Sequence, residues 1–170
     1  MLLFDPRGEG DSEGDPNPLS WGGERDLAAA VTFLQSRPDV DDDRIGGLGL
    51  SVGGEGAGIR SVREHMVDTG LNKWAELPFM VAITASAAVF TNHTPPPSLE
   101  RLIGEISPRP ILLIYATNGQ GGEHLNPRYL AAAGESASIW EITDDRHMGG
   151  LGTCPAEYEQ RVVGFFDEHL

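Results

Sequence analysis

Ser51 sits within Gly49-Leu50-Ser51-Val52-Gly53, a G-x-S-x-G that follows an apolar run and precedes a glycine- and alanine-rich helical stretch. In a strand-turn-helix elbow such a serine takes a strained backbone conformation, and glycines flank it because a side chain there would collide with the neighbouring turn. The chemistry this suits is nucleophilic attack by the serine hydroxyl. A bare G-x-S-x-G also arises by chance in glycine-rich loops, and this chain holds 22 glycines, so the placement carries the discrimination. Ile45 to Leu50 reads as a short buried strand, while Gly53, Gly54, Ala57 and Gly58 leave one helix face small enough to press against a sheet.

A serine hydroxyl is a poor nucleophile at neutral pH and needs a base within hydrogen-bond reach, with an acid to hold that base. Of the five histidines, His147 fits best. It lies in Arg146-His147-Met148-Gly149-Gly150, a loop between the last expected strand and the last helix, and sheets of this kind place their sites at strand carboxyl ends. His65 and His169 read as helix-terminus residues, His93 borders a proline break, and His124 adjoins Glu123 in a loop. The acid should follow the strand Ile111 to Ala116, yet the first polar residues there, Thr117 and Asn118, are not carboxylates. Glu123 is the first acid beyond it, and Gly119-Gln120-Gly121-Gly122 can fold it back toward His147. Asp144 and Asp145 are the alternatives, although so close to His147 they read as solvated turn residues.

The elements needed to position these groups recur along the chain. Leu2 to Asp5 reads as a strand ending in the turn-rich Pro6 to Ser12. A helix follows, with Leu27, Ala30, Val31 and Leu34 at helical spacing, Glu24 and Asp26 near its positive end, and Pro38 closing it. Asp41 to Asp43 is a solvated acidic turn. Beyond the helix after Ser51 come a strand at Met80 to Ala88, a break at Pro95-Pro96-Pro97, and a short helix near Ser98 to Ile106. The strand Ile111 to Ala116 is next, then a helix with Asn126 as cap and Pro127 as first residue, ending near Gly134. A strand at Ser138 to Ile142 precedes a terminal helix opened by Pro155, whose Val162, Phe165, Phe166 and His169 share a face. Strands alternating with helices at this spacing predict an α/β fold with a mainly parallel sheet covered on both sides, a three-layer α/β/α sandwich.

At 170 residues the chain fits a single domain, 1–170, in which 91–106 looks like a short cap segment. A net charge of −14 argues against nucleic acid and anionic membranes as partners. One lysine, Lys73, accompanies 26 acidic residues, a balance that suits either high salt, where screening removes self-repulsion, or an arginine-preferring genome. No signal peptide is evident, and Phe79 to Phe90 is too short an apolar run to cross a bilayer, so a cytoplasmic protein is expected. Cys154 is the only cysteine, which excludes an internal disulfide and a cysteine-based zinc site. No cofactor and no metal are expected, since no histidine-carboxylate set has ligand spacing. Gly8-Glu9-Gly10 has acids where a dinucleotide's phosphates would sit, and no G-x-G-x-x-G follows.

The order Ser51, acid, His147, together with Asp5-Pro6-Arg7-Gly8-Glu9-Gly10-Asp11-Ser12 and Gly49-Leu50-Ser51-Val52-Gly53-Gly54-Glu55, resembles the α/β-hydrolase superfamily, near its dienelactone-hydrolase and prolyl-peptidase-like branches. The resemblance implies a serine hydrolase acting on a small-molecule ester or a peptide: Ser51 attacks the carbonyl, His147 relays the proton, and water releases the acyl group. It implies that the Val52 backbone N–H is one oxyanion-hole donor, and that Arg7 and Asp11 brace the loop beside the nucleophile.

The departure is at the amino end. The superfamily usually has three further strands and a helix ahead of this segment, and one of those loops supplies the second oxyanion donor. An N-terminally truncated member is therefore expected, with Leu2 to Asp5 left without its ladder neighbour and an exposed parallel edge open to homo-oligomer formation. Losing one oxyanion donor costs about 10²- to 10³-fold in rate. The competing reading is a non-catalytic remnant acting through oligomerisation. Extending the reading frame upstream should uncover an in-frame apolar strand containing His-Gly; its absence would show the short form to be the natural one.

Overall fold

The computed structural model describes residues 1–15, 21–50, 73–91, 96–119, 122–143 and 146–170. They divide into two compact units, the described residues of the first running from Met1 to Pro97 and those of the second from Ser98 to Leu170.

In the first unit the turn signals at the amino end act as expected. Glu9 N–H donates to Pro6 O at 3.0 Å and Ser12 N–H to Glu9 O at 2.9 Å, while the Ser12 hydroxyl donates to Asp5 O at 2.7 Å. Helix α1 (Gly23–Gln35) follows, with Glu24 and Asp26 in its first turn, where carboxylates meet the unpaired amides of the helix end. Arg7 donates through Nε and Nη2 to Asp26 Oδ1 at 2.8 and 2.6 Å. The hydrogen bond to Asp26, and then its charge, raise the Arg7 guanidinium above the usual arginine value. The turn is thereby fastened to α1. Trp21, two residues ahead of the helix, is buried.

Three expected strands of this unit are not strands. Among the described residues Leu2 to Asp5 and Ile45 to Leu50 join no ladder, and Leu48 and Leu50, expected to be buried, are exposed, as is Leu3. A strand needs a neighbour for its N–H and C=O groups, and an apolar run supplies only the side chains. Met80 to Ala88 lies inside helix α2 (Lys73–Thr91). That run is apolar but for Thr84 and Ser86, so its pattern is too weak for a period of 2 or of 3.6 to distinguish the two states, and Ala82, Ala85, Ala87 and Ala88 favour the helix. Among the described residues no helix is long and apolar enough to cross a membrane.

The second unit follows its expected order closely. Ser98 caps helix α3 (Leu99–Ile106), its hydroxyl accepting from Arg101 N–H at 3.4 Å. Strand β1 (Ile111–Ala116) comes next, then a 3-10 turn at Glu123–Leu125 and helix α4 (Asn126–Ala133). Strand β2 (Ala137–Ile142), a short helix α5 (Gly150–Thr153) and helix α6 (Pro155–His169) complete the chain. One boundary is corrected: Leu125, not Asn126, stands at the cap position of α4, and no side chain caps that end. The preceding 3-10 turn runs straight into the helix, so Asn126 already has helical geometry.

β1 and β2 form a parallel pair in register from Ile111 opposite Ala137 to Ala116 opposite Ile142, and Thr117 N–H extends the ladder to Ile142 O at 3.0 Å. Parallel strands need a crossover, and the 3-10 turn with α4 supplies it. Arg128 of α4 reaches Glu100 of α3 at 2.9 Å. Trp140 of β2 meets Tyr158 of α6 with ring centroids 6.0 Å apart, and Arg161 lies over the Trp140 ring at 4.6 Å. Burial pushes the Tyr158 phenol above its usual range. Among the described residues of this unit, Ala116, Leu125, Tyr129, Ala133 and Ile142 are the buried apolar ones. The result is a mixed α/β architecture whose sheet, among the described residues, is this one parallel pair.

Leu125 is 1% exposed and is the buried residue of the 3-10 turn that follows β1. Leu125→Ala should therefore cost about 2–5 kcal/mol, read as a lower urea midpoint with an unchanged denaturant slope.

Candidate active site

Because β1 and β2 are parallel and in register, Ala116 and Ile142 end side by side, and the loops that leave them start from the same edge. The first loop carries Glu123. Gly119 N–H donates to Ala116 O at 3.0 Å, turning the chain at once, and Gly122 takes φ 92, a left-handed value open to glycine at little cost. Leu125 N–H closes onto Gly122 O at 2.9 Å, and the Asn126 side-chain amide donates to Glu123 O at 2.8 Å. With the Leu125 side chain buried beneath it, the turn holds Glu123 against the end of β1. One carboxylate oxygen, Oε2, accepts the Ala116 backbone N–H at 2.6 Å. The other, Oε1, meets His147 Nδ1.

His147 stands on the loop after β2, in a turn closed by Gly149 N–H donating to Arg146 O at 2.8 Å. Met148, the next residue, has φ 57. That conformation is uncommon for a residue with a side chain and is the kind of local strain that surrounding structure must hold in place. A carboxylate can only accept, so the contact with Glu123 places the ring proton on Nδ1, and the neutral ring then carries its lone pair on Nε2. The Glu123 side chain is 14% exposed and that of His147 39%. The acid is shielded while the ring still reaches the surface, which suits an oriented imidazole able to take up and return a proton.

The structure thus brings together two residues expected from sequence, Glu123 and His147. Ser51 and Val52 lie outside the described residues, as do Asp144 and Asp145, the alternative acids, and His65 and His93. His124 is exposed on the 3-10 turn, and His169 packs edge-on against Phe165 with centroids 4.7 Å apart. Sequence reasoning missed the Ala116 N–H and the inward role of Asn126. A backbone amide carries no residue signature, and Asn-Pro reads as a helix cap wherever it occurs.

Elsewhere the geometry is less pointed. An open cavity of ≈ 350 Å³ in the first unit is lined by Leu2, Phe4, Arg7, Asp26, Ala30 and Phe33 among others, and by no histidine. The carboxylates of Asp41, Asp42 and Asp43 come within 4.8 Å of one another at the surface, where Asp43 N–H donates to Asp41 Oδ1 at 3.2 Å. That is the acidic turn read from the sequence.

No protein-family model matches the chain. It is 28% identical over 190 residues to the uncharacterized protein YfhR of Salmonella typhi, and equally to YfhR of Salmonella typhimurium, in each case across 100% of this chain and 62% of the relative. The chain therefore spans less than two thirds of the length of these curated relatives. Among solved structures it is similar to the hypothetical protein PA2218 from Pseudomonas aeruginosa, with a TM-score of 0.56, 17% identity, and coverage of 85% of this chain and 67% of that one. This likeness is one of fold.

Proposed function

We propose that the chain is a serine hydrolase of the α/β-hydrolase type, a three-layer α/β/α sandwich that cleaves a small-molecule ester or a peptide through an acyl-enzyme. The observation that carries this reading is the contact of His147 Nδ1 with Glu123, two residues 24 positions apart on the loops that follow neighbouring parallel strands. In this proposal Ser51 is the nucleophile on the strength of its G-x-S-x-G setting. Its hydroxyl gives a proton to His147 Nε2 as it attacks the carbonyl. The Val52 backbone N–H donates to the oxyanion, and the imidazolium, held by Glu123, returns the proton to the leaving group. Water then repeats the sequence and frees the acid. Glu123 orients the ring and stabilises its charge without taking the proton.

A second reading, a non-catalytic chain acting through oligomerisation, is favoured by one observation: the apolar runs Leu2 to Asp5 and Ile45 to Leu50 join no ladder among the described residues and carry exposed large side chains. Unpaired runs of this kind are open to a strand from another chain.

A fluorophosphonate probe separates the two. On the hydrolase reading it forms one adduct per chain, located at Ser51 by peptide mass spectrometry; Ser51→Ala abolishes the adduct, and Glu123→Gln slows its formation by about 10⁴-fold. A folded sample that forms no adduct and sediments as an oligomer would instead establish the second reading.

A further inference from the structure

Gly119 occupies a place that its backbone does not explain. Its φ lies outside the left-handed region, so any residue could adopt it, and its N–H makes an ordinary turn bond to Ala116 O at 3.0 Å. What sets it apart is the space where a Cβ would go. An ideal Cβ built at Gly119 overlaps the Glu123 carboxylate, whose carboxyl carbon and two oxygens are the three atoms nearest to it. Those are the atoms that bond to the Ala116 N–H and to His147.

We propose that Gly119 is a positioning residue, whose missing side chain is the berth in which the Glu123 carboxylate lies clamped between the Ala116 amide and the His147 ring. The consequence of filling that berth follows from what would have to move. Backbone resists displacement, but the atoms met here are the far end of a flexible side chain. An alanine at 119 would therefore eject the carboxylate and leave the turn standing. The carboxylate would lose both of its partners in one step, and His147 would lose the acceptor that fixes its tautomer. The inference rests on the proposed hydrolase reading only for its effect on rate; the geometric effect on His147 does not require it.

The test is Gly119→Ala in the full chain, read by the His147 ring signals in NMR at a pH above the ordinary histidine range, beside wild type and Glu123→Gln. Wild type should show a protonated Nδ1 with a downfield, exchange-protected proton. Gly119→Ala should lose that proton signal, as Glu123→Gln does, with little change in urea midpoint, and its fluorophosphonate labelling should slow by a factor similar to that of Glu123→Gln. In a Glu123→Ala background, adding Gly119→Ala should change nothing further. A retained Nδ1 proton signal in Gly119→Ala would overturn the proposal, as would an additional loss in the Glu123→Ala background. Should Gly119→Ala fail to fold, the double variant decides: recovery of folding when Glu123 is cut back supports the berth, and continued unfolding overturns it. If wild type forms no adduct while Gly119→Ala still loses the signal, the hydrolase reading falls and the role of Gly119 stands.

Discussion

The candidate site depends on one constraint, the in-register parallel pairing of β1 with β2. Parallel strands send their following loops off the same edge, and pairing Ala116 with Ile142 makes those loops start level with each other. Slide the register by two residues and the start of one loop retreats by about 6–7 Å, more than a side-chain hydrogen bond can span. The contact of His147 with Glu123 is therefore a readout of the ladder. The burial of Ala116 on β1 and Ile142 on β2 favours that register, because a one-residue slip would turn the side chains of one strand to the opposite face.

Glu123 ties this scaffold to chemistry by splitting its two oxygens between tasks. Oε2 satisfies the last amide of β1, an N–H that would otherwise be left at a strand end, and Oε1 faces the imidazole. A carboxylate bonded on both sides has little freedom to rotate, so the ring it holds is fixed in tautomer and in direction. The acid stands seven positions beyond Ala116 and not at the strand end itself. Distance along the chain is offset by a turn that doubles back, secured by Gly122, Leu125 and Asn126.

The first unit has a different character. Its turn at Pro6 to Ser12 is well bonded and anchored to α1 through Arg7 and Asp26, yet the apolar segments on either side of α1 find no ladder among the described residues, and α2 exposes Phe79, Val89 and Phe90. Local polar bonding is sufficient for a turn and a helix. A strand is completed only by another strand, and the two runs rich enough in apolar residues to form one, Leu2 to Asp5 and Ile45 to Leu50, lack it among the described residues.

Local signals determined much of this protein from sequence alone. The short helix begun near Ser98, Pro127 and Pro155 at helix starts, Gly134 near a helix end, and the apolar run of Ile111 to Ala116 each act within a few residues, and each element appears within a residue or two of its expected bounds. The choice of Glu123 as partner of His147 was legible as well, because a glycine-rich loop between a strand and the first acid leaves few other ways to bring a carboxylate back. Tertiary structure alone decided what sequence misread or did not signal: that Met80 to Ala88 is helical and not a strand, that Leu2 to Asp5 and Ile45 to Leu50, expected as strands, stay unladdered among the described residues, and that the Ala116 amide and the empty side of Gly119 form the carboxylate's seat. The reason is common to all three. An apolar run, a backbone N–H and an absent side chain have no preference of their own until a neighbour from elsewhere in the chain arrives, or fails to arrive, to give them one.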